Sequence, residues 1–345
     1  VGDGGNGILN IVNGGLVTSV GSTLGVETGF QGQVLVKGTG SQWNNSGDLI
    51  VGQSGKGVLE VLNGGHVTSQ GTARIAENST GVGTINVRGS GSSWTNNGEL
   101  LIGLSGYGTL SIVDGAQVNS DSGSIAANPG SKAEVLVSGF GAAWKNTGNV
   151  EVGFGGTGTL NVSNGIVTAD TLRLGPNGTL QGSNGTITAN VSNEGGVVSP
   201  GLSPGKLSIG GDYIQNSGTL LLEIGGTTPD LYDQLFATGN VFLDGTLQLS
   251  FINGFLPQIG QSFDLINGFS SFNFGNNFQV LTSGIAGGWQ YDFDVSTGKV
   301  TLQSLSTGTA VPEPLTILGT GTAIGFGAFF KKRQKKQLAD KSGLS

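Results

Sequence analysis

Val51-Gly52-Gln53-Ser54-Gly55-Lys56-Gly57-Val58-Leu59 is the stretch on which the fold turns. It has three counterparts: Val1-Gly2-Asp3-Gly4-Gly5-Asn6-Gly7-Ile8-Leu9, and the segments from Ile102 to Leu110 and from Val152 to Leu160. Their starts lie 50, 51 and 50 residues apart. Two further markers keep the same register. Gly-x-x-Trp ends at Trp43, Trp94 and Trp144, and turn pairs stand at Asn13-Gly14, Asn63-Gly64, Asp114-Gly115 and Asn164-Gly165. A fixed period of this kind marks a repeat architecture, in which each unit stacks on the next to bury an apolar face it cannot bury alone.

Gly7 to Val12 alternates apolar and polar side chains, as a half-buried strand does. Gln33 to Val36 and Asp48 to Val51 are further strand candidates. Asn-Gly and Asp-Gly supply the positive φ of a tight turn. No stretch of the repeats carries a helical period. The expectation is an all-β chain folded as a right-handed parallel β-helix, with two coils per repeat if a coil takes roughly 20–30 residues. The strict period fades after Gly175, and Ser199-Pro200-Gly201 and Ser203-Pro204-Gly205 mark a boundary. Longer strands are predicted beyond it, at Tyr213 to Ile224, Val241 to Phe251, Gln261 to Ile266, Trp289 to Val295 and Lys299 to Leu305. The domain plan is therefore a solenoid over 1–194, a distal β-helix or capping β-domain over 195–306, and a C-terminal signal over 307–345.

The composition agrees with this plan. The chain has 67 Gly among 345 residues, no Cys, no Met and a single His. Residues 1–310 hold nine Lys/Arg against twenty Asp/Glu, an acidic body that argues against nucleic acid, whose phosphates require clustered Lys and Arg. Zero Cys excludes disulfides, thiolate zinc sites and Cys nucleophiles. The sequence opens at Val1 inside a repeat, and further sequence is expected before it.

The C-terminus carries a different constellation. Val311-Pro312-Glu313-Pro314 precedes Leu315 to Phe330, a run without a charge. Lys331-Lys332-Arg333-Gln334-Lys335-Lys336 follows. The apolar run reads as one transmembrane helix, slightly short of the roughly 20 residues a bilayer core asks for. Lys331, Lys332, Arg333, Lys335 and Lys336 read as its cytoplasmic stop. In order and kind this tail resembles the PEP-CTERM sorting signal of bacterial exported proteins. The resemblance implies recognition of Val311, Pro312, Glu313 and Pro314 by an exosortase, a membrane-embedded cysteine transpeptidase. It further implies cleavage nearby and release to the cell surface or exopolysaccharide matrix. The 50-residue repeats are similar to those shared by PEP-CTERM proteins and autotransporter passengers, which implies a β-helix and no particular activity.

Enzymatic readings find little to work with. A Ser-His-Asp triad needs its His, and His66 aligns with Leu16 and Gln117 in sister repeats. Asp230, Asp233 and Asp244 come nearest to the clustered carboxylates of a glycan-cleaving β-helix. Asp3 of a faintly calcium-repeat-like string gives way to Gln53, Leu104 and Phe154 in later copies, which removes the oxygen ligands Ca²⁺ needs. Trp43, Trp94 and Trp144 read first as packing plugs, and in the alternative as a sugar-stacking ladder. The sequence reading is thus a non-enzymatic, exported surface or matrix protein without cofactor or metal. Its expected partners are an exosortase, the membrane and exopolysaccharide. The alternatives are a glycan-binding module or a carbohydrate-active enzyme.

Overall fold

The computed structural model describes residues 1–201, 204–285 and 289–305. They belong to one compact unit, Val1–Leu305, while a second unit, Ser306–Ser345, lies outside the described residues. The first unit is a parallel β-solenoid of about 10 turns. Each early coil has three strands. The first coil is Gly7–Val12, Leu16–Ser19 and Ser22–Leu24, and the second is Gln31–Lys37, Gln42–Asn45 and Leu49–Val51. Each strand pairs in parallel with its counterpart one coil on, so the strands build a long face, a second face and a short third face.

The register gives the period its meaning. Gly7, Gly32 and Gly57 stand one above the other, so a coil takes 25 residues and the 50-residue repeat is a pair of coils. The glycines of the opening stretch follow from this winding. Gly52 turns the corner between third face and long face at φ 78°, and a Cβ there would lie 2.3 Å from the Val82 carbonyl oxygen of the next coil. Gly57 points inward at the start of the long face, where a Cβ would lie 2.1 Å from the Gly52 nitrogen. One glycine supplies the left-handed backbone and the other the room for it. The turn residues behave as the sequence predicts: Asn13, Asn63, Asp114 and Asn164 all have φ between 53° and 57°.

Inward positions form unbroken apolar columns, such as Val34, Leu59, Ile85, Leu110, Val135 and Leu160 on the long face, all essentially buried. The fading of the period after Gly175 has a physical cause. Gly158 pairs with Gly178, so the coil there shrinks to 20 residues. The winding itself does not stop. Strand Gly185–Pro200 crosses the 194/195 point and pairs in parallel with coils on both sides. At the narrowing, Arg173 clamps three coils together, with Nη1 2.6 Å from Glu151 Oε1 and Nη2 2.9 Å from Glu194 Oε2.

Parallel pairing persists to Gln279–Ser283. A small antiparallel sheet of Ser262–Asp264, Lys299–Leu305 and Trp289–Asp294 then closes this end. The Phe293 ring packs edge-on against Phe272 and Phe274, at 5.1 and 5.2 Å between centroids. The segment after the strict repeats therefore contains both distal coils and a cap. In the first coil Ile8 and Leu16 lie on the outer faces, in register with Gln33 and Gln42, and are 72% and 61% exposed. Among the described residues no helix is long and apolar enough to cross a membrane. The transmembrane helix read from Leu315 to Phe330 lies outside them.

Candidate functional site

The most regular side-chain constellation lies inside the solenoid, at the corner between second and third faces. The inward column of the second face reads Val17, Trp43, Val67, Trp94, Val118, Trp144 and Val167, so indole and isopropyl alternate coil by coil. Trp43, Trp94 and Trp144 are 2%, 0% and 0% exposed. This corrects the sugar-ladder alternative: stacking on a sugar needs an open ring face, and these rings have protein above and below. A Cβ on Gly123 would lie 2.5 Å from Cζ2 of Trp144, so the indole fills the space that a larger residue would take on the third face.

Each indole also anchors a buried polar relay. The Trp43, Trp94 and Trp144 Nε1–H groups donate to Ser19, Ser69 and Ser120 Oγ of the preceding coil, at 3.1, 3.0 and 2.9 Å. Those hydroxyls donate to Asn45, Asn96 and Asn146 Oδ1, at 2.9, 2.7 and 2.6 Å. Asn45 and Asn96 then donate through Nδ2 to corner carbonyls two and three residues on, those of Gly47 and Asp48 and of Gly98 and Glu99. A buried polar group without a partner costs about 1–3 kcal/mol, and the relay leaves none of these without one. Sequence reading missed it. Its signal is Trp-x-Asn once per repeat with a Ser about one coil earlier.

The other candidates scatter. His66 is exposed on the second face, with Nδ1 2.7 Å from Ser93 Oγ. No hydrogen bond from its other nitrogen to a carboxylate occurs among the described residues. Asp230 is exposed in the 3₁₀ turn Pro229–Leu231 and lines a shallow cleft of about 230 Å³ with Asn184, Lys206 and Tyr232. Asp233 is fully buried, and its two oxygens accept the backbone N–H groups of Gly205 at 2.7 Å and Glu223 at 2.9 Å. Burial pushes its carboxyl up to about 7, against the downward pull of those two donors. Burial also raises the Glu223 carboxyl. Asp244 accepts from the Asn277 backbone at 2.7 Å and ties one coil to the next. The three carboxylates thus have three separate settings: a cleft rim, a buried lock and a turn. Among the described residues no group of three His, Cys, Asp or Glu side chains is placed to hold a metal ion.

The proposed sorting residues Val311, Pro312, Glu313 and Pro314 lie outside the described residues, as do Lys331, Lys332, Arg333, Lys335 and Lys336. No family model matches this chain, and no curated protein matches it.

Proposed function

We propose that this chain is a structural repeat protein of the bacterial surface or extracellular matrix, with adhesion as a further role. In this reading it is exported, held in the inner membrane by its C-terminal helix, and released by an exosortase that recognises Val311 to Pro314. The observation that carries the proposal is the solenoid itself. Its length comes from stacked parallel coils, and its most regular side-chain network is buried and serves the stack. Such a body suits a spacer or scaffold. The tail from Val311 to Lys336, read as a sorting signal, supplies the address. Right-handed winding belongs to the same proposal, since parallel crossovers take that hand in nearly all cases.

The test is removal of residues 311–345 from the chain expressed in its native host. The expected outcome is an unchanged far-ultraviolet dichroism spectrum and melting curve, with the protein displaced from the surface or matrix fraction. Unchanged location after that truncation overturns the sorting reading.

A further inference from the structure

The corner between long face and second face repeats an Asn-Gly pair, and Asn-Gly is the dipeptide most open to spontaneous deamidation. In that reaction the Gly nitrogen loses its proton and attacks the Asn side-chain carbonyl carbon. A C–N bond forms, the amide nitrogen leaves as ammonia, and water opens the resulting succinimide to aspartate or isoaspartate. The net change is amide plus water to carboxyl plus ammonia. Ring closure requires a Gly N–H that is free to leave its hydrogen bond.

At two of these corners it is not free. The Gly14 N–H donates to Ser41 Oγ at 3.1 Å, and the Gly64 N–H donates to Ser92 Oγ at 3.0 Å. Both hydroxyls are themselves fixed, because Ser41 donates to the Lys37 carbonyl at 2.8 Å and Ser92 to the Arg88 carbonyl at 2.7 Å. The third repeat breaks the pattern in two places at once. Ala142 stands where the first two repeats have Ser41 and Ser92, and the turn residue is Asp114 instead of Asn. At this corner the clamp is missing, and the chain already encodes the residue that deamidation would produce.

We propose that Asn13-Gly14 and Asn63-Gly64 are latent deamidation sites, kept as amides by the hydroxyls of Ser41 and Ser92. The fold accommodates the aspartyl product. Asp114 holds the same left-handed backbone as Asn63, at φ 57° against 53°, and its carboxylate takes a 2.8 Å bond from Arg88 Nε. Lys37 is the counterpart of Arg88, aligned with Leu62 as Arg88 is with Val113. A carboxylate at position 63 therefore gains a surface ion pair and leaves the sheet untouched.

The experiment uses the full chain with Asp114→Asn, which places an unclamped amide in the same kind of turn. Peptide mass spectrometry follows aspartyl and isoaspartyl products over time in mildly alkaline buffer. The amide introduced at 114 should convert roughly fivefold faster than Asn13 and Asn63 in the same molecules, equivalent to about 1 kcal/mol at 1.4 kcal/mol per decade. Adding Ala142→Ser should slow it to their rate, and Ser92→Ala alone should speed Asn63. Because clamped and unclamped sites share one chain, unfolding would accelerate all of them alike. Equal rates at the three sites, or no slowing by Ala142→Ser, overturn the proposal.

Discussion

At the scale of single residues, the glycines of the solenoid divide into those the winding requires and those it merely tolerates. Gly52 is required twice over, by φ 78° and by the Val82 carbonyl 2.3 Å from any Cβ. Gly29 has φ 90° but open space around it. Gly29→Ala should therefore cost roughly 1 kcal/mol, the penalty of left-handed backbone alone. Gly52→Ala adds a collision with main chain that cannot move aside, and should cost at least twice as much. Urea titration of the two variants checks the ordering, and equal losses would show that the corner is softer than its geometry implies. These positions were legible in the sequence, because the glycines recur at fixed offsets. The Ser and Asn of the buried relay were not. Alternation along a strand sends polar side chains outward, whereas Ser69 and Asn96 point inward at strand ends. Their partners lie 25 and 27 residues away, beyond any local pattern.

At the scale of elements, the segment from Gly225 to Asp233 depends on one carboxyl group. Asp233 ties it to the Gly205 arc and to the strand carrying Glu223. The folded group holds its proton up to about 7, whereas the unfolded one releases it near the ordinary 3.8. Between those values the unfolded chain has lost the proton that the folded chain keeps, so stability falls as pH rises through the window and levels off above it. Glu223, also raised by burial, pushes the same way. Asp233→Asn removes the titration. Melting temperature measured across that window should decline in the parent protein and decline less steeply in the variant, where Glu223 still contributes. A parent melting temperature that climbs with pH would reverse the sign assigned to this lock. Sequence reading placed Asp230 and Asp233 together with Asp244 as the nearest thing to a carboxylate cluster. Asp230 and Asp233 part because residue 233 begins to re-enter the coil while residue 230 stays at the loop tip, a distinction set by tertiary burial and invisible to composition.

At the scale of the whole molecule, the coil is the structural unit but the pair of coils is the packing unit. Trp-bearing coils sit only on Val-bearing ones, and each indole donates to a Ser that only the Val-bearing coil supplies. Deleting residues 52–102 removes one coil of each kind and joins Val51 to Gly103, which keeps the alternation. Deleting residues 52–75 removes a single Val-bearing coil and sets Trp94 over Trp43, with Asn45 in place of Ser69 beneath its Nε1–H. The larger deletion should melt as one cooperative transition. The smaller one should lose a further amount of about 1–3 kcal/mol from overpacking, read from equilibrium denaturation. If the smaller deletion were the milder, the alternation would carry no energetic weight. The two-coil repeat was readable from residue spacing alone, whereas the division of labour between its halves needed the register.

This pairing bears on how the protein changes length over generations. A recombination event in register with the 50-residue repeat would add or remove a whole pair of coils. Every product of such an exchange therefore inherits a complete Val and Trp set, and the solenoid lengthens or shortens without passing through a mispacked ancestor.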